Sequence, residues 1–104
     1  MNLSGCSKKK LKIPPDVLNH DQMVGILIDV HILEAKVKKL YLKNDSSIKV
    51  YLHYEDMLFD EHETTREQYK KSLEFYMQEV EVYKDIYDEV SDSLLARQKT
   101  KDFN

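Results

Sequence analysis

From residue 16 to residue 104 the chain contains no proline and a single glycine, Gly25. Proline and glycine punctuate chains that turn sharply, so a stretch this long without them has few ways to make hairpins or sheets. Its apolar residues recur at helical spacing instead. Met23, Ile26, Val30, Leu33, Val37 and Leu40 advance in steps of three and four, with Leu27 and Tyr41 widening the stripe. Tyr69, Leu73, Tyr76, Val80, Tyr83, Tyr87, Val90 and Leu94 do the same over four heptads. The expected fold is all-α, a small domain of three to four helices.

Local signals place the elements. Asn19 with Gln22 three residues on reads as a capping box, and Leu18 can staple against Met23, so a first helix should run from there to about Lys43. The polar run Lys43 to Ser47 offers N-cap oxygens for a second helix near Ile48, whose inner face would use Val50, Tyr51, Tyr54, Met57 and Leu58. Asp60-Glu61-His62-Glu63 should end it, and Thr65 to Gln68 is a capping box for a third helical stretch. Taken literally, that stretch is one rod from Arg66 to Arg97, on the order of 48 Å at 1.5 Å per residue. Residues 98–104 show no pattern and should fray. The organisation expected is therefore a 1–18 tether, a 19–97 helical domain and a short tail.

Composition agrees with one water-facing domain, 41% hydrophobic and 34% charged in 104 residues. The net charge of -3 hides an asymmetry, because Lys8, Lys9, Lys10 and Lys12 stand in a segment without acids. Residues 14–104 carry 12 basic against 19 acidic residues, a balance of -7. Such a domain repels nucleic-acid phosphates, so no nucleic acid is expected as partner. No run approaches the roughly 20 apolar residues that a spanning helix needs.

Cys6 is the one cysteine and can make no internal disulfide. Leu3-Ser4-Gly5-Cys6 looks like a bacterial lipobox, the tetrapeptide whose cysteine is acylated after a secretory signal is removed. Met1 and Asn2 alone precede it here, whereas such a signal has an apolar region of roughly 7–15 residues. Ser7 to Ile13 would form a spacer ahead of Pro14 and Pro15, reaching roughly 25 Å at most, and its lysines suit a membrane surface.

Candidate site residues are few. Asp29, His31 and Glu34 share one helix, but at 100° per residue Asp29 lies about 160° from His31 and about 140° from Glu34, so the three cannot converge on one ion. His31 and Glu34 should form a surface pair. Asp29 is expected at the rim of the core, accepting from a hydroxyl such as Ser72 or Tyr76. His20, His53 and His62 show no zinc-ligand spacing, and the acidic turn around His62 lacks the glycine and ligand alternation of a calcium loop. The sequence contains no phosphate loop, nucleophile elbow or cysteine–histidine pairing within a folded segment, so no enzyme, metal, cofactor or small-molecule substrate is expected. The tyrosine row should pack its rings in the core and could leave a face for a partner.

Taken together, several segments resemble the domain of unknown function family 4296, small lipoproteins of Bacteroidetes type. The carriers are Cys6 with Pro14, the run Met23 to His31 with Glu34, then Tyr69, Ser72, Leu73, Phe75 and Tyr76, and finally Ile86, Tyr87 and Val90. The resemblance implies a short, helical, lipid-anchored protein without an established activity. It also implies a break near residues 77–80, where the family often starts a separate helix, while the heptads imply continuity; we favour the break. The functional expectation is a non-catalytic, periplasm-facing lipoprotein of the cell envelope, held to the membrane by a lipid on Cys6 and serving as a helical interaction or accessory module for an envelope protein. The alternative is a soluble cytoplasmic adaptor or self-associating coiled coil, in which Leu3 to Cys6 have no role.

Overall fold

The structure, a computed structural model, describes the backbone of residues 11–103 and the side chains of residues 11–99. Cys6, the lipobox-like start and Lys8 to Lys10 lie outside these residues. Four helices follow one another, α1 His20–Lys38, α2 Asn44–Glu61, α3 Arg66–Met77 and α4 Val80–Phe103. Among the described residues there is no strand, and the protein is a small all-α domain.

Helix α1 is the central element and packs on each of the other three. It opens on the expected capping box: the Gln22 amide donates to the Asn19 side chain and the Asn19 amide to Gln22 Oε1, both at 2.8 Å. Leu18 and Met23, on either side of the cap, are both buried in the core. Met23, Ile26, Leu27, Ile28, Val30 and Val37 are buried along it, a wider set than one amphipathic stripe, as suits a helix covered on several sides. Leu33 and Leu73 pack against this core half-buried.

The helix stops at Lys38, short of the expected Lys43. Leu40 and Tyr41 donate to carbonyls three residues back, and Tyr41 takes the left-handed φ of 52°, which ends a helix. Leu40 and Tyr41, expected on the apolar stripe, are instead exposed.

Helix α2 begins at Asn44, four residues ahead of Ile48, so Asp45, Ser46 and Ser47 lie inside its first turn rather than capping it. Asp45 still faces the positive end of the helix dipole. Its buried face also differs from expectation. Glu55, Leu58 and Phe59 are buried, while Tyr54 and Met57 are exposed and Val50 and Tyr51 only half-buried. A carboxylate, held by partners described below, thus occupies a buried position on this face. The helix ends with Glu63 in the left-handed region at φ 57°, where the Glu63 and Thr64 amides donate to Asp60 and Phe59 carbonyls at 3.0 and 2.9 Å.

Only half of the second capping box forms. Thr65 accepts from the Gln68 amide at 3.1 Å, but the Gln68 side chain turns to Thr64 and to the Asp16 carbonyl. The third helical stretch is two helices, with Gln78 and Glu79 between Met77 and Val80. A straight rod of about 48 Å would outrun α1, which is about 28 Å long. The break lets α4 bury Ile86 and Val90 while Val80, expected inside, is 70% exposed. Beyond Gln98, where fraying was expected, the backbone stays helical to Phe103.

Candidate functional site

The residues singled out from the sequence fall into three groups. The first is a strap. Leu18 is buried in a short segment before α1, where its backbone cannot reach water. Its amide donates to Ser72 Oγ at 2.8 Å, and its carbonyl accepts from the Tyr76 hydroxyl at 2.6 Å. Ser72 in turn donates to the Gln68 carbonyl at 2.7 Å. Gln68, Ser72 and Tyr76 stand four apart, on one face of α3, and with Lys71, which pairs with Asp16, they hold residues 16–18 in place. Phe75 packs edge-on against Tyr76, ring centroids 5.1 Å apart.

The second is Asp29. Ser72 and Tyr76 are committed to Leu18, and Asp29 Oδ2 meets His62 Nε2 at 2.7 Å instead. This corrects the expected hydroxyl partner, and it gives His62, half-buried at the end of α2, a partner on α1. The pair fastens the end of α2 to α1, with His62 lying over Gly25.

The third group lies around Glu34. His31 Nδ1 and Glu34 Oε1 are 3.2 Å apart, as their spacing predicts, and the imidazole stands edge-on to Tyr87 at 6.0 Å between centroids. Tyr87 is itself edge-on to Tyr83 at 4.8 Å. Tyr51 donates to Glu55 Oε2 at 2.7 Å, and Glu55 Oε1 is held by Arg66. Burial, then the hydrogen bond to Glu55 and its charge, then the charge of Glu34 push the Tyr51 hydroxyl up from its ordinary value. Tyr69 is pushed up to about 12 by burial and then by the charges of Glu55, Glu34 and Tyr83. Tyr87 rises through burial first, then its bond to Tyr83, with Tyr69 and Glu34 adding to it. Helices α2, α3 and α4 thus bring phenols around Glu34 of α1 and Glu55 of α2, and these phenols stay neutral at ordinary pH.

Beside this cluster opens a cleft of about 540 Å³ between α1 and α2. His31, Glu34, Ala35 and Val37 face Ile48, Tyr51 and Leu52 across it. Ile48 and Leu52 are 56% and 42% exposed, so the α2 side of the cleft is largely apolar and uncovered. A smaller hollow of about 270 Å³ lies on the other flank of the same helix pair, edged by Asp29, Leu33, Tyr54 and Met57. Among the described residues no group of three or more histidine, cysteine, aspartate or glutamate side chains is placed to hold a metal ion. No helix described is long and apolar enough to cross a membrane.

The cleft-facing Ile48 and Leu52 and the Glu55–Arg66 pair were missed from the sequence. Ile48 was read as the start of a helix, and Glu55 was not singled out. The Tyr51 to Glu55 spacing of four was the available signal.

A family model described as Domain of unknown function (DUF4296) matches residues 14–100. The chain belongs to this family. No curated protein and no solved structure matches it. Within the family match, the residues that carried the resemblance have structural work here: Ser72 and Tyr76 hold the strap, Ile86 and Val90 fill the core, and Asp29 fastens α2.

Proposed function

We propose that the protein is a non-catalytic, lipid-anchored module of the cell envelope that receives a partner protein in the cleft between α1 and α2. The observation that carries the binding reading is the cleft, an open cavity walled by Ala35, Val37, Ile48 and Leu52. Two polar pairs stand at it, His31 with Glu34 and Tyr51 with Glu55, and Lys38 and Ser47 complete its lining. Apolar side chains left exposed together, as Ile48 and Leu52 are, also mark surfaces that meet another protein.

The address rests on the sequence. Leu3-Ser4-Gly5-Cys6 supplies the acylation motif, and the lysine-bearing spacer leads into the fold, which is described from Leu11. A periplasm-facing position is the reading that this motif supports.

Expression of the full-length gene in its native host tests both halves. The Cys6 peptide should carry a lipid by mass spectrometry, and Cys6→Ala should leave the membrane fraction. A photo-reactive amino acid at Leu52 should crosslink to one partner, and the same group at Asp92 on α4 should not. An unmodified Cys6 in a soluble fraction would turn the reading to the cytoplasmic adaptor or self-associating coiled coil. Crosslinks spread equally over both positions would remove the cleft from it.

A further inference from the structure

The positive charge of the folded part is concentrated in one place. Lys36, Lys38, Lys39, Lys43 and Lys49 fall within residues 36–49, where Asp45 is the one acid, a balance of +4. The rest of residues 14–104 then carries 7 basic against 18 acidic residues, or -11. These five lysines flank the turn from α1 to α2. Arg66, Lys71 and Lys84 elsewhere each have a carboxylate partner, whereas none of the five forms an ion pair among the described residues.

The same turn is apolar at its tip. Leu40, Tyr41 and Leu42 are 55%, 92% and 40% exposed, three large apolar residues in a row that the core does not use. Tyr41 holds a left-handed backbone, a conformation that ordinarily falls to glycine or asparagine. Neither packing nor turn chemistry accounts for a bulky aromatic residue there. Backbone held in such a region is a recurrent mark of a site with a use.

We infer that this corner is a docking surface for an anionic lipid bilayer. Leu40, Tyr41 and Leu42 enter the interfacial layer, and the surrounding lysines meet the headgroup phosphates. Tyrosine suits that layer because its ring is apolar and its hydroxyl stays wet. Lysine stems can lie along the apolar boundary while the ammonium groups remain in water. A turn whose tip is apolar and whose lysines come from both flanking helices presents to a fluid, uniformly negative surface without any shaped complement. The acidic remainder is repelled by the same surface, which sets the orientation of the domain. The inference stands without a lipid on Cys6.

The chain has no tryptophan, so Tyr41→Trp gives a single indole at the tip, and the exposure of position 41 lets the change leave the fold intact, as circular dichroism would verify. The full chain is purified without acylation and mixed with phosphatidylcholine vesicles, with or without phosphatidylglycerol. The indole emission should shift to the blue and be quenched by brominated lipid only when phosphatidylglycerol is present. Changing Lys36, Lys38, Lys39 and Lys43 to Gln should weaken partitioning, roughly five-fold per lysine. Changing Lys8, Lys9, Lys10 and Lys12 to Gln should leave the shift at saturating vesicle in place. An indole that stays unshifted while the protein floats with the vesicles would place binding on the N-terminal lysines and overturn the inference. No response to either vesicle would overturn it equally and leave an acidic protein surface as the match for this corner.

Discussion

The guanidinium of Arg66 closes on the carboxylate of Glu55 across the turn between α2 and α3. Nη1 donates to Oε1 of Glu55, the Tyr51 hydroxyl donates to Oε2, and Nη2 reaches Asp56 at 2.7 Å. The same guanidinium lies 5.4 Å from the centroid of the Phe59 ring. A carboxylate can face the core because both its oxygens are occupied.

The two acids held by Arg66 should therefore differ in weight. Arg66→Ala leaves Glu55 buried with one donor and should cost on the order of 3 kcal/mol. Asp56→Ala removes only the exposed arm, where side-chain exposure is 68%, and should cost less than about 1 kcal/mol. Urea unfolding measures both. Equal losses would mean that the burial of Glu55 is not what Arg66 sustains.

Tyr76→Phe and Ser72→Ala each strand one backbone group of a buried Leu18. Either change should cost about 1–3 kcal/mol. The two bonds hold a single residue, so the double variant should lose less than the sum. A double variant that loses the full sum would show the strap residues acting independently.

Two backbone positions should accept stabilising changes. Gly25 is inside α1, and a Cβ there would sit 3.6 Å from His62 Cε1, an ordinary contact. Gly25→Ala should add about 0.5–1 kcal/mol. Glu63 has a left-handed backbone at φ 57°, and Glu63→Gly should add up to about 1 kcal/mol by removing the Cβ clash. A lower melting temperature in either variant would contradict the local geometry.

Alkaline pH should unfold the protein. Tyr51, Tyr69, Tyr76 and Tyr87 all hold their protons more tightly folded than free, with burial as the leading cause. A raised folded value gives stability that is complete below the free value of about 10 and is lost as pH climbs through the folded one. For Tyr69 that window runs from about 10 to about 12. Titration at the tyrosinate absorbance, run beside circular dichroism, should show these phenols ionising late and together with loss of helix. Tyr69→Phe should flatten the dependence; an unchanged slope would exclude Tyr69 from it.

Much of this architecture is legible from residues a few positions apart. Asn19 with Gln22 fixes the start of α1, Thr65 with the Gln68 amide fixes that of α3, and His31 with Glu34 is a pair that helix geometry imposes. Misreadings arise where a partner is distant in sequence. Glu55 looks like a surface acid until Arg66, eleven residues on, covers it. Asp29 has no local clue to His62, 33 residues away. Ser72 and Tyr76 bind backbone groups of Leu18, and a backbone acceptor or donor leaves no mark in residue type. The heptads across residues 77–80 are equally blind to length, since periodicity carries no information about how long a helix its neighbours can cover.

The strap of residues 16–18 also decides how the fold meets mechanical load. A pull on the chain from its N-terminal side arrives at Asp16 and Leu18 before it arrives at α1, and there it passes sideways into α3 through Lys71, Gln68, Ser72 and Tyr76. Tension is thus diverted from the capping box of α1, and the first helix to feel it is third in chain order.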